Sequence, residues 1–314
     1  MGTPLTSYTS PIDHEQSARL KSLLEARGYE FAEKPYSLFS AKKERLHVTV
    51  YEKGPKVLVQ GKATEDFVKF VLEPEILKAA FLGYEEETNP EMFEPHLGID
   101  ESGKGDFFGP LVIAGTYTNS QSARALLDGG IADSKRITSD SKIRKLSALV
   151  RKAPDIVYEV MVLRPQKYNE LYARFANLNK LLAWGHATVI DNLHRRQPDC
   201  PRALSDQFAN PRELRHALKQ KKCAIQLQQK TKAESDIAVA AASILAREKF
   251  IDWMDETSAE YGLTIPRGAS QKVKDVGRNL VETLGPDILE KLAKTHFKTG
   301  REILNSDHPT EKPI

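Results

Sequence analysis

Apolar positions recur along this chain with two different periods, and the order in which the periods alternate predicts its elements. Between residues 12 and 27, Leu20, Leu23 and Leu24 stand among charged neighbours, and Gly28-Tyr29 supplies a stop, which predicts a short helix. "LHVTVY" then alternates, breaks at Gly54-Pro55 and resumes in "KVLVQG", the pattern of antiparallel strands joined by a tight turn. From Lys62 the apolar positions Phe67, Phe70 and Val71, with Leu72 as a further candidate, predict another helix that Pro74 limits. That order describes a small helix-and-sheet module.

After it the periodicity lapses. "GYEEETNPEMFEP", from Gly83 to Pro95, combines an acid run with two prolines and reads as an interdomain linker, which sets the expected domains at 1–90 and 91–314. Beyond the linker, "HLGIDESG" and "GPLVIAGTYT" predict an early hairpin of a central sheet. "ITSDSKIRKLSALVRKAP" offers Ser, Thr and Asp as caps and Ile143, Leu146 and Leu149 as one apolar face, a helix ending near Pro154. "IVYEVMVLR" predicts a strand, residues 165 to 196 one or two helices, and "RALSDQF" a short strand ending in Asp206. A basic helix with Arg212, Arg215, Lys219, Lys221 and Lys222 follows, then "AIQLQQK" as a strand and "ESDIAVAAASILAREKFIDWMDE" as a long, alanine-rich helix. Further helices are expected around "VGRNLVETLG" and "PDILEKLAKTHF". Strands that precede and then alternate with helices give an α/β main domain.

Composition narrows the class without fixing it. With 314 residues and an apolar fraction of 40%, the chain can build a sizeable core, and wholesale disorder is not expected. Lys plus Arg exceed Asp plus Glu only as 46 to 43, a balance that neither demands nor excludes nucleic acid, because a local patch matters more than the sum. Such a patch occurs between Lys34 and Lys62, where seven Lys/Arg face two Glu and interleave with Tyr36, Phe39 and Tyr51. A surface of this kind can track a sugar-phosphate backbone; the same residues also read as solvated lysines over core aromatics. Cys200 and Cys223 form no CxxC and no paired metal spacing, nothing approaches eighteen consecutive apolar residues, and the start lacks a secretory pattern. A soluble, reduced, cytoplasmic protein is expected. Gly2 alone, with no polybasic or second lipid signal, does not argue for an anchor.

The candidate chemistry lies in acids at element ends. Asp100-Glu101 follows "LGI" and Asp206 follows "RALS", so both sites lie where an apolar strand meets polar sequence, while Asp236 falls in the first turn of the long helix. Singly, Asp206 also reads as a strand-end surface residue and Asp236 as a helix-cap residue. Together they are hard oxygen ligands of the type that suits Mg²⁺ or Mn²⁺, and two such ions can activate water and stabilise a phosphoryl leaving oxygen. Adjacent strand residues point to opposite faces, so Asp100 and Glu101 share a metal only if the strand twists or ends there, a departure the next glycines ease. The "GKG" at 103–105 matches neither GxxxxGK[ST] nor GxGxxG, which disfavours a GTPase or kinase, though Gly103, Lys104 and Gly105 can still approach a backbone phosphate. Ser102 has no GxSxG elbow and no evident histidine partner, which argues against a serine hydrolase. His96 and His186 belong to no zinc-like cluster and read as structural or exposed.

"DESGKGDFFGPLV" resembles the start of the catalytic domain of the type 2 ribonuclease H family, in the form of its ribonuclease HIII branch; the ribonuclease HII branch has a DEAGRG-like form, where this chain has Ser102 and Lys104. "ADSK" at 132–135, "LSDQF" around Asp206 and "KAESDIAVAAASILAR" around Asp236 extend the likeness, in order, over roughly residues 95 to 305. The resemblance implies a ribonuclease H-like α/β catalytic domain preceded by a small α+β domain similar to the TATA-binding-protein fold that engages the hybrid. It implies cleavage of the RNA strand of RNA/DNA hybrids to 5′-phosphate and 3′-hydroxyl ends, with Mg²⁺ or Mn²⁺, two ions per site, held by Asp100, Glu101, Asp206 and Asp236. Ser102, Gly103, Lys104 and Gly105 become candidate contacts to the scissile region, and Lys135, Arg212 and Arg215 candidate phosphate contacts. Asp106 stays open between local support and a role behind the acids. No membrane and no obligate protein partner are expected, and a monomer is. The alternatives are ribonuclease HII-like incision at single ribonucleotides in duplex DNA, and a non-enzymatic hybrid-binding protein.

Overall fold

A computed structural model describes residues 5–77, 89–131, 137, 139–207, 210–231 and 233–305. Contacts divide the chain into two compact units, Met1–Glu91 and Met92–Ile314. Residues 83–88 of the expected linker and the "ADSK" segment, Lys135 included, lie outside the described residues.

The first unit contains β1 (Ser7–Pro11), β2 (Glu30–Ala32), β3 (Ser37–Lys43), β4 (Leu46–Tyr51) and β5 (Lys56–Gly61), an antiparallel sheet in the order β1-β5-β4-β3-β2. Helix α1 (His14–Ala26) starts at a capping box: the Gln16 N–H donates to the Asp13 carboxylate at 2.7 Å, and the Gln16 side chain accepts from the Asp13 N–H at 3.0 Å. Leu20 and Leu24 of α1 pack with Val48, Val50, Val57 and Val59, and with Val68, Leu72 and Ile76 from the helical segment after β5. That segment begins as α2 (Thr64–Phe67) and widens into a π-helical stretch, Val68–Leu77. It passes through Pro74 instead of ending there, since the wider winding accommodates a ring that lacks an N–H and crowds the preceding turn.

Alternation sends Lys42, His47, Tyr51, Lys56 and Gln60 to the opposite face of the sheet. Of the three aromatics expected among the lysines, only Tyr51 lies on this face, with Lys34 and Lys56 Nζ 5.5 and 5.9 Å from its ring centroid. A register irregularity between Ser37 and Phe39 goes with Phe39 turned into the core, and Tyr36 stands outside the strand, 85% exposed at a φ of 62°.

The second unit is built on β6 (His96–Ser102), β7 (Leu111–Thr118), β8 (Val157–Leu163), β9 (Arg202–Asp206) and β10 (Gln226–Lys230). Their order is β10-β9-β6-β7-β8; β6, β7 and β8 run antiparallel, while β9 lies parallel to β6 and β10 parallel to β9. The helices are α3 (Ser120–Asp128), α4 (Asp140–Lys152), α5 (Pro165–Phe175), α6 (Leu178–Arg196), α7 (Pro211–Gln220), α8 (Ile237–Glu260), α9 (Gln271–Leu284), α10 (Ile288–Leu292) and α11 (Lys298–Leu304). Ala176, in the left-handed region, separates α5 from α6. Along α4 the buried stripe is Ile143, Leu146, Ser147 and Val150; Leu149 is 45% exposed, because a 3.6-residue period brings residue 150 and not 149 back above residue 143.

Both faces of this sheet are covered. Leu97, Ile99, Leu111 and Ile113 pack with Leu181, Leu182, Val189 and Ile190 of α6, whereas Val112 and Ala114 pack with Ala240, Ala241, Ile244 and Leu245 of α8. The alanine content of α8 allows it to lie close: a Cβ on Gly98 would come within 2.3 Å of the Ala238 and Val239 backbone. Gly185 does the same for α6, where a Cβ would meet Ile113 at 2.2 Å. Close approach therefore fixes β6, the strand that carries Asp100 and Glu101, against α8, and its neighbour β7 against α6. No helix among the described residues is long and apolar enough to cross a membrane.

Candidate active site

The parallel register of β6 and β9 pairs Leu97 with Ala203, Gly98 with Leu204 and Ile99 with Ser205. The next step along both strands is Asp100 and Asp206, so these acids end up side by side on neighbouring strands. By alternation both follow Gly98 and Leu204 onto the α8 face. β6 does not end at the acids: Asp100, Glu101 and Ser102 remain paired with Ala114, Ile113 and Val112. The pleat consequently separates the adjacent carboxylates. Asp100 lies beside Ser243 of α8, whose hydroxyl favours its ionised form, while Glu101 turns toward α6, where His186 Nε2 donates to Oε2 at 3.0 Å. The other ring nitrogen of His186 meets Ser205 Oγ at 3.1 Å, and Lys104 Nζ reaches Glu101 Oε1 at 3.4 Å.

These surroundings push the two acids apart electrostatically. Burial and the neighbouring Glu101 charge raise the Asp100 carboxyl to about 7, with the Ser243 hydroxyl and the Glu101 N–H offsetting part of the rise. Burial pushes Glu101 up as well, but the hydrogen bonds and charges of His186 and Lys104 outweigh it, and its net direction is down. Asp206 is half-buried, and its carboxylate makes no hydrogen bond or ion pair among the described residues. Paired hard oxygen donors at a strand end, one short of partners and one resisting ionisation, suit a divalent cation, which would relieve the crowding and keep water in its remaining positions.

Asp236 is placed differently from the expectation that it completes this set. As the N-cap of α8 its carboxylate accepts from the Ala238 and Val239 N–H groups at 2.9 and 3.3 Å, and from His96 Nε2 at 2.9 and 3.1 Å. His96 opens β6, and its Nδ1 donates to the Glu94 carbonyl at 2.7 Å. Ser243, the partner of Asp100, lies two turns farther along α8, roughly 10 Å at an α-helical rise. The orphan N–H groups of the helix start and a buried imidazole thus claim the Asp236 oxygens. Among the described residues, no group of three or more His, Cys, Asp or Glu stands close enough to hold a metal by itself.

The remaining candidates spread over the same edge. Ser102 is half-buried in the last β6–β7 pair, Gly103 has a φ of 84°, and Gly105 is exposed. Asp106 is local support: its Oδ1 accepts the Gly268 N–H at 2.6 Å. Arg212 and Arg215 are exposed on α7, which is anchored through Leu214 and Leu218. Sequence reasoning missed His96 and His186 as partners of acids; both are fully buried, and their partners lie 140 and 85 residues away, so no local signal marks them. It also missed Ser243, one small residue in an alanine-rich run, and Lys294, which is fully buried.

Residues 97–300 match the family model described as ribonuclease HII. Ribonuclease HIII of Chlamydia felis is 43% identical over 303 residues, 96% of this chain and 98% of its own length. Ribonuclease HIII of Chlamydia abortus is 44% identical over 308 residues, 98% and 99% of the two. Among solved structures, Bst-RNase HIII in complex with Mn²⁺ is similar with a TM-score of 0.65 and 26% identity, covering 95% of this chain and 98% of that one. The RNase HII of Archaeoglobus fulgidus, solved with PCNA, has a TM-score of 0.56 and 25% identity, and covers 70% of this chain but 98% of its own. The shorter match leaves nearly a third of this chain without a counterpart, which the HIII chains supply. The fold is a ribonuclease H-like α/β catalytic unit with an additional N-terminal unit, and the chain belongs to the ribonuclease HII/HIII family.

Proposed function

We propose that this chain is an endonuclease that hydrolyses the RNA strand of RNA/DNA hybrids, leaving 5′-phosphate and 3′-hydroxyl ends. The observation that carries the reading is the placement of Asp100 and Asp206 on adjacent parallel strands, with Glu101 beside them, within a family of ribonucleases H. Asp100 and Asp206 would hold Mg²⁺ or Mn²⁺, in keeping with the Mn²⁺ complex of the Bst enzyme. A pair of such ions held there would supply an acidified water and charge stabilisation for the leaving 3′ oxygen. His186 and Lys104 keep Glu101 ionised and aimed, so that it can orient water or join the metal environment. Ser102, Gly103, Lys104 and Gly105 follow directly on the acids, where backbone and ammonium can meet the substrate backbone and the 2′-hydroxyl that separates RNA from DNA. Arg212, Arg215 and Lys135 are phosphate contacts of lesser weight in this reading, and Asp236 supports the site through α8.

The first unit, residues 1–90, is proposed as a hybrid-binding domain resembling the TATA-binding-protein fold. An antiparallel sheet with helices on one face and Lys42, His47, Tyr51 and Lys56 on the other supports that reading. Residues 91–314 are the catalytic domain. Two unbridged cysteines fit a reducing cytoplasm.

The test is incubation of the purified chain with matched RNA/DNA, DNA/DNA and single-ribonucleotide duplexes in Mg²⁺ and in Mn²⁺, with mapping of the product ends. The expected result is metal-dependent cleavage within the RNA of the continuous hybrid, with 5′-phosphates. Preferential incision at the single ribonucleotide would move the assignment to a ribonuclease HII-like activity. Binding of hybrid without any cleavage would reduce the chain to a binding protein.

A further inference from the structure

The loop between β6 and β7, residues 103–110, leads away from the acids and returns upon itself. A Cβ on Gly103 would lie 2.1 Å from the Pro110 carbonyl oxygen and 2.8 Å from the Phe250 ring, so the two ends of the loop touch. Its middle is docked on the C-terminal part of the unit. The Phe107 N–H donates to the Gly268 carbonyl at 2.9 Å, the Gly109 N–H to Leu292 at 2.9 Å, and the Lys294 N–H to Phe107 at 2.8 Å. Inside this frame lies the Lys294 side chain, with no exposure to solvent. Its Nζ is 2.8 Å from the Asp106 carbonyl oxygen, 2.6 Å from that of Gly109 and 3.5 Å from that of Phe108.

Three converging carbonyls can be served by the three N–H groups of an ammonium, while a neutral amine has two. The titratable groups around it are Asp106 in the loop, whose charge favours the cation, Tyr168 of α5, whose ring centroid is 5.7 Å from Nζ, and His296, two residues on. Burial pulls Lys294 down to about 7, with Asp106 countering. A buried cation is weak evidence for stability, and its best-attested use is to specify one arrangement of the groups around it. The arrangement specified here is that of carbonyls within a loop whose first residues follow the acids.

We propose that Lys294 is the positioning residue of this loop: its ammonium gathers the carbonyls of Asp106, Phe108 and Gly109 and so sets where Ser102–Gly105 meets the substrate backbone beside Asp100. Asn169 holds the lysine's own backbone from both sides, donating to the Ala293 carbonyl at 2.9 Å and accepting the Thr295 N–H at 3.0 Å. The clamp therefore runs from α5 through Lys294 to the loop. The kinetic half of this inference rests on the proposed nuclease activity; the structural half does not.

Lys294→Met in the full chain tests both halves, with a cooperative thermal melt as the check of folding. Without metal or substrate, hydrogen–deuterium exchange of peptides spanning 103–110 is expected to rise at least about tenfold while α6 and α8 keep their protection. On RNA/DNA hybrid, kcat is expected to fall about 100-fold with KM within about threefold, since a small misplacement near the reacting atoms costs rate before it costs binding. A folded variant with wild-type loop exchange and wild-type kcat overturns the proposal. So does one in which the whole unit exchanges faster together and kcat per folded molecule is unchanged. Where the methionine variant does not fold, Lys294→Gln, which keeps two N–H donors without the charge, takes the same two readouts, with a kcat loss of about tenfold expected. If the wild-type chain cleaves no hybrid, the nuclease reading falls, and the exchange arm still decides the role of Lys294.

Discussion

His96 and His186 are both fully buried, and each stands against a carboxylate, yet the two pairs leave their acids in different conditions. The Asp236 oxygens receive His96 and two N–H groups of a helix start, and the far nitrogen of His96 is spent on a backbone carbonyl. That pair is closed, and it ties the first residue of β6 to the first turn of α8. Glu101 receives His186 on one oxygen and Lys104, whose side chain is 36% exposed, on the other, with Asp100 beside it. That pair is open on the side of the strand end. What an acid does in this unit is set by how many of its lone pairs the fold has already claimed, a quantity that residue type and motif position do not express.

The sharpest way to break the contrast is to neutralise the acids on either side of it. Asp100→Asn and Asp206→Asn are each expected to lower kcat on RNA/DNA hybrid by more than about 100-fold, beyond what is typical for losing a partner behind a metal ligand. Cleavage by Asp100→Asn at a wild-type rate would remove the assignment of the site. His186→Ala comes next: Glu101 keeps its carboxylate and loses the hydrogen bond that aims it, and a fall of about 10- to 100-fold is expected. Steady-state rates in saturating Mg²⁺ check all three.

Asp236→Asn should reverse the pattern. Removing one member of a buried, hydrogen-bonded pair costs about 3 kcal/mol, so the denaturation midpoint is expected to fall. Turnover per folded molecule is expected to stay within about threefold of wild type, because the carboxylate lies roughly two helical turns from the partner of Asp100. Active-site titration alongside urea unfolding measures the two quantities separately. A rate loss as deep as that of Asp206→Asn, at unchanged stability, would place Asp236 back among the acids that act.

The split between these acids also marks how far the sequence could be read. That Asp100 and Asp206 stand where an apolar run gives way to polar sequence follows from local patterning, and the central hairpin and the long alanine-rich helix are equally local. Register is not local: that Asp100 and Asp206 fall on neighbouring positions depends on a pairing between residues about a hundred apart. The capping alternative for Asp236 was visible in its position, but the choice between cap and ligand depended on His96, which carries no signal of its partner. The objection that a pleat separates Asp100 from Glu101 was also available from the strand period, and β6 stays paired through both acids. Phe39 turned inward for a related reason, because an irregularity of one residue moves an aromatic from one face of a sheet to the other, while Tyr36 precedes the strand altogether.

The smallest expected effect tests the electrostatic half of the contrast. Asp100, near 3.8 when unperturbed, is raised to about 7 in the folded chain, first by burial and then by Glu101. A raised carboxyl means that the folded, metal-free protein binds this proton more tightly than the unfolded chain does. Its contribution to stability is complete below about pH 4 and is lost as pH rises through 7, where ionisation places a second charge beside Glu101. Asn at this position cannot ionise. Metal-free Asp100→Asn is therefore expected to melt a few degrees above wild type at pH 8 to 9, with the gap closing toward pH 4, in thermal scans with EDTA. Added Mg²⁺ should raise the melting temperature at pH 8 more for wild type than for the variant, since the variant lacks one of the crowded carboxylates that a cation would neutralise. A gap of equal size at every pH would mean that Asn stabilises by packing, and that the open pair carries no charge strain for a metal to relieve.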